Sequence, residues 1–82
     1  MTTDKILQDV NAIFREQLDD ASIRIGLDTT AADVEAWDSL THIQLIVAIE
    51  KHFHIRFTAG EIQSFANVGD MIQRISGKLR PQ

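Results

Sequence analysis

The stretch from Leu40 to Phe53 is the most apolar in the chain, and its apolar residues fall on two sides of a helix. At about 100° per residue, Leu45, Ile46, Ile49 and Phe53 lie on one side and Leu40, Ile43 and Val47 nearly opposite. A chain of 82 residues makes one small domain, residues 1–82, and such a domain buries only about 60% of the surface its unfolded form exposes. Both sides can hardly be covered. The side with Leu45, Ile49 and Phe53 is larger and aromatic and is expected to face the core. Leu40, Ile43 and Val47 are then at least partly exposed, and contiguous exposed apolar residues suggest a surface for a partner.

The remaining pattern is also helical. From about Asp4 to Leu18, residues Ile6, Leu7, Val10, Ile13, Phe14 and Leu18 keep i, i+3/i+4, i+7 spacing, with Thr2 or Thr3 placed to cap. Asp9, Arg15, Glu16 and Gln17 occupy its polar side and are expected to be solvated. A long connection, Asp19 to Asp38, follows, pinned to the core by Ile23, Ile25, Leu27, Val34 and Trp37, with one helical turn expected at Asp33–Ala36. Thr58-Ala59-Gly60-Glu61 reads as a capping box opening a short helix with Ile62 and Phe65 inward. Asn67 should cap a last helix carrying Val68, Met71, Ile72, Ile75 and Leu79 inward, with Gly77, Lys78 and Arg80 near its end and Pro81-Gln82 fraying. There is no Tyr, the single proline is Pro81, and nothing reads as a strand. The expected fold is all-α: a compact four-helix bundle with three longer helices, a short third helix and a long loop between the first two.

Several classes of function are disfavoured. A net charge of −4 argues against a nucleic-acid binder and for partners with basic surfaces. The absence of cysteine excludes disulfides and thiolate metal sites, and no apolar run is long enough for a membrane span. No leader is evident, so a cytoplasmic monomer is expected. His42, His52 and His54 are not spaced with acidic or thiol ligands as in metal sites and read as solvated surface residues. Asp38, Ser39 and His42 contain the residue types of a nucleophilic triad, but they crowd into one helical turn with no evident oxyanion hole.

Asp38 stands where an N-cap belongs, its carboxylate placed to accept from the N–H of Thr41. Ser39 is then the first helical residue, its hydroxyl outward at a helix N-terminus, where free N–H groups and the macrodipole favour an attached phosphate. Ser39 is the candidate modification site.

With these residues in place, the chain resembles the acyl carrier proteins and related phosphopantetheine-binding carrier domains. The likeness runs from the first helix to Ile75. Its core is Asp38-Ser39-Leu40, followed without gaps by Leu45, Ala48, Ile49, Glu50, Phe53, Ile55, Phe57, Val68 and Ile72. The resemblance implies that Ser39 receives a 4′-phosphopantetheine arm from coenzyme A through a separate magnesium-dependent phosphopantetheinyl transferase, with Asp38 helping to hold that magnesium. It implies a non-catalytic carrier of acyl or aminoacyl thioesters, shielding cargo between helices and meeting acyl-loading and acyl-processing enzymes mainly along the second helix. Leu40, Ile43, Gln44, Val47 and Lys51 are the expected docking residues; a small adaptor without a prosthetic group is the alternative. Carriers of primary fatty-acid synthesis commonly have an acidic second helix, whereas Gln44, Lys51 and His52 stand here at positions often acidic there. From Asp38 to Ile62 three acids face two bases, while residues 1–37 hold eight acids against three bases. Together with Trp37 directly before Asp38, this resembles the stand-alone carriers of specialised pathways.

Overall fold

Thr2 opens the first helix, accepting from the N–H of Lys5 at 3.2 Å. Helix α1 runs Thr3–Gln17 and buries Ile6, Val10, Ile13 and Phe14 as one stripe. The computed structural model describes residues 2–79, and the expectations for Arg80, Pro81 and Gln82 lie outside them. After the long connection come α2 (Ser39–Phe53), α3 (Ala59–Ser64) and α4 (Val68–Leu79). The result is an all-α four-helix bundle with a short third helix. Helix α1 packs against both α2 and α4, and the core joins Phe14, Trp37, Leu45, Ile49, Phe53, Met71, Ile72 and Ile75.

The two sides of α2 divide as the spacing predicts. Leu45, Ile46, Ile49 and Phe53 are buried, whereas Leu40, Ile43 and Val47 are 72%, 52% and 43% exposed. His54 ends the helix in the left-handed conformation at φ 57°, a place usually taken by glycine. Glu50 then turns back to accept the N–H of Phe57 at 2.8 Å, which steers the chain toward α3. The Thr58–Glu61 capping box is present. Asn67 accepts from the N–H of Asp70 at 2.9 Å, as its place before α4 suggests.

The long connection departs from expectation in detail. Its helical turn is a 3-10 turn at Ala31–Asp33 rather than at Asp33–Ala36. The shift has a local cause: the N–H and hydroxyl of Thr30 both donate to Asp33 Oδ2, at 3.0 and 3.2 Å, so the turn forms on Thr30. Ile23, Ile25 and Trp37 are buried as anchors, but Leu27 remains 44% exposed. Arg15 and Asp9 are not simply solvated. Arg15 Nε donates to the carbonyl of Ile23 at 2.7 Å, and Asp9 lies 3.3 Å from both Lys5 and His52. Burial acts to raise the Asp9 carboxyl, but bonds from His52 and Lys5 outweigh it and hold the group below its ordinary value.

Asn11 is the buried polar residue of α1. Its Nδ2 donates to the carbonyls of Leu7 and Ile25, both at 3.0 Å, and its Oδ1 accepts from the N–H of Ile25 at 2.8 Å. One side chain thus satisfies both backbone groups of a buried loop residue. The same loop reaches α4, where the carbonyls of Thr29 and Leu27 accept the first N–H groups, those of Val68 and Gly69, at 2.8 Å each.

Candidate functional site

Asp38 Oδ1 accepts from the N–H groups of Leu40 and Thr41 at 3.0 and 2.9 Å. Thr41 answers as the other half of a capping box: its hydroxyl accepts from the N–H of Asp38 at 2.8 Å and donates to the carbonyl of Ala36 at 2.7 Å. These bonds hold the Asp38 carboxyl below its ordinary value, the Thr41 backbone N–H first among them. They also correct one expectation. The helix start does not offer several free N–H groups to a phosphate at Ser39, because Asp38 already takes two of them; Ser39's own N–H and the helix dipole remain. Ser39 itself is exposed at the first position of α2, and among the described residues no protein hydrogen bond holds its Oγ.

Beside Ser39 lies a mainly apolar groove of about 530 Å³ between the start of α2, α3 and the 3-10 turn, lined among others by Trp37, His42, Ile43, Ile62 and Phe65. His42 forms part of its floor and is not a solvated surface histidine. Trp37 Nε1 donates to His42 Nδ1 at 3.0 Å, and His42 Nε2 lies 3.2 Å from the carbonyl oxygen of Ile62. An indole N–H can only donate, so Nδ1 accepts and the ring proton resides on Nε2, pointing at Ile62. This removes the triad reading. Both imidazole nitrogens are engaged by Trp37 and Ile62 rather than by Ser39, and Asp38 Oδ1 is engaged by the helix cap. Ile62 and Phe65, expected inward, are half-buried and shape this groove. Among the described residues no three His, Cys, Asp or Glu side chains gather as a metal site.

An exposed, unengaged serine at a helix start beside an apolar groove suits a covalently attached group better than chemistry performed by the protein. The family profile described as "Phosphopantetheine attachment site" matches residues 8–75. The chain belongs to that family, the phosphopantetheine-bearing acyl carrier proteins. It is 32% identical over 78 residues to an acyl carrier protein of Prochlorococcus marinus (strain MIT 9515), covering 95% of this chain and 98% of that one. It is 29% identical over 70 residues to the acyl carrier protein of Helicobacter acinonychis (strain Sheeba), covering 85% and 90%. The solution structure of holo acyl carrier protein from Geobacter metallireducens superposes with a TM-score of 0.85 at 44% identity, covering 90% of this chain and 85% of that one.

As a carrier, the protein works through phosphopantetheine attachment and is not itself a catalyst. On this carrier the residues expected to meet partners share one side of α2: Leu40, Ile43, Gln44, Val47 and Lys51 are all exposed. Ile43, Gln44, Val47 and Lys51 also border a shallow groove against α1 that includes Glu16 and Gln17. Among the described residues Lys51 enters no ion pair. His52 bonds Asp9 across to α1, and His54 serves the helix end, so neither is free surface alone. No described helix is long and apolar enough to cross a membrane.

Proposed function

We propose that Ser39 is the attachment site of the 4′-phosphopantetheine arm and that this single-domain, monomeric carrier holds acyl or aminoacyl intermediates on it as thioesters. The observation that carries this reading is the position of Ser39: exposed, first in α2, its hydroxyl unengaged, inside the matched span and at the mouth of an apolar groove. The arm, when attached, supplies a terminal thiol on which cargo is carried. The protein's part is to present the hydroxyl, and to keep the helix start rigid through Asp38 and Thr41. Asp38 Oδ1 accepts both backbone N–H bonds that the carboxylate receives in the cap. Oδ2 is left available to a magnesium ion of the transferase.

Loading and processing enzymes would meet the carrier on Leu40, Ile43, Gln44, Val47 and Lys51, which form an apolar strip with little negative charge. That composition favours enzymes of a specialised pathway over those of primary fatty-acid synthesis, and a cytoplasmic location belongs to the same reading. The decisive experiment is incubation with coenzyme A, magnesium and a phosphopantetheinyl transferase, followed by intact-protein mass spectrometry. One phosphopantetheine should be added to the native protein and none to Ser39→Ala. Ser22, Ser64 and Ser76 serve as internal controls; modification of any of them with Ser39 bare overturns the assignment.

A further inference from the structure

The groove beside Ser39 ends on a layer of rings. Of the residues that line it, only Trp37 belongs to the buried core; no residue of α1 or α4 lines it. Trp37 and His42 stack with centroids 6.0 Å apart and planes 20° from parallel, and His42 meets Phe65 edge-on at 6.5 Å. His42 is the member that also bonds to both sides, accepting from Trp37 Nε1 at 3.0 Å and facing the Ile62 carbonyl at 3.2 Å. Ile62 falls in the last four residues of α3, whose carbonyls have no partner within the helix. The imidazole therefore ties the end of the long connection to α3 through α2.

We propose that His42 is a specificity-determining residue of the carrier: a latch between α2 and α3 that closes the way from the groove to the core and keeps cargo at the groove mouth. The inference rests on Ser39 being the attachment site. An alkyl chain entering past His42 would part it from Trp37 and Ile62, and it brings neither a donor nor an acceptor to replace what they lose. Short acyl groups need no such entry, because they fit in the groove beside Ser39 without opening the ring layer, and polar ones gain nothing by leaving water for the core. The carrier is thus fitted to short or polar cargo and leaves a long alkyl thioester accessible to solvent.

The test loads the protein with acetyl- or octanoyl-phosphopantetheine from the corresponding acyl-coenzyme A, using a phosphopantetheinyl transferase. Two readouts follow: the rate at which hydroxylamine cleaves each thioester to hydroxamate and free thiol, and the NMR resonance of the single indole N–H, that of Trp37. In the native protein the octanoyl and acetyl forms should be cleaved at rates within about twofold, with the Trp37 resonance unmoved. In His42→Leu the octanoyl form should slow relative to acetyl by about fivefold, which corresponds to a thioester spending roughly four-fifths of its time inside. Octanoyl protection in the native protein, accompanied by displacement of the Trp37 resonance, overturns the latch whether or not the variant folds. Absence of any added mass at Ser39 removes the attachment assignment and the latch together, so the two failures are told apart by the mass spectrum.

Discussion

The carbonyl oxygen of Leu27 accepts the N–H of Gly69 at 2.8 Å and would lie 2.9 Å from a Cβ placed on that glycine. The loop is thus seated on the first turn of α4 at a distance that only glycine allows. Replacing a helical glycine by alanine ordinarily stabilises by about 0.5–1 kcal/mol. Here Gly69→Ala should instead destabilise by about 1–3 kcal/mol, as overpacking does. A urea titration reads the sign, and a raised midpoint would show that the loop moves aside freely.

The two sides of α2 should respond oppositely to substitution. Phe53 is 6% exposed and rests against the core, so Phe53→Ala should cost about 3–5 kcal/mol. Ile43→Glu and Val47→Glu lie on the exposed side and should change stability by no more than about 0.5 kcal/mol. Partner enzymes should nonetheless use these variants about fivefold less efficiently, the equivalent of about 1 kcal/mol in docking. Loss of helical circular dichroism in either glutamate variant would make both sides of α2 core.

Asn11→Leu removes the partners of the Ile25 N–H and carbonyl at once. Leaving such buried backbone groups unpaired should lower stability by about 2–4 kcal/mol. Thermal unfolding measures the loss; a midpoint equal to that of the native protein would mean that the loop finds other partners.

Stability should decline in acid, and Glu61 should contribute. Its carboxylate accepts from the Thr58 N–H at 2.9 Å and lies 3.0 Å from Lys78 Nζ. These bonds, Thr58 first and Lys78 next, hold it below its ordinary value of 4.5. The unfolded chain therefore binds this proton at higher pH than the folded one, so the contribution is complete above about pH 4.5 and is lost as pH falls through the folded value. Asp38 acts in the same direction from an ordinary value of 3.8. Urea midpoints measured at about pH 6 and about pH 3 should converge partly for Glu61→Gln; an unaltered difference between the two would assign the acid loss to other carboxylates.

What could be read from the sequence was local. The caps at Asp38, Thr58 and Asn67 announce themselves because a capping side chain and its target N–H lie within three residues. The division of α2 into two sides follows from helical period alone. The roles of Asn11, His42 and Gly69 depend on partners far along the chain, at Ile25, Ile62 and Leu27, and no short-range pattern carries them. A signal for Asn11 did exist: it is a polar residue set between Val10, Ile13 and Phe14 on a stripe that is otherwise buried. For Ser39 the residue and its helix position were legible, but the occupation of the neighbouring N–H groups by Asp38 was not, because a cap can share one oxygen between two donors.

The bonds from Thr29 and Leu27 to the first N–H groups of α4 give the long connection a part in folding order. The start of the last helix cannot be sealed until a segment some forty residues upstream has come into place, so loop and helix should close and open as one cooperative unit. In hydrogen exchange, the amides of Val68 and Gly69 would then act as remote sentinels of the loop, losing protection together when it lifts, even while the middle of α4 stays protected.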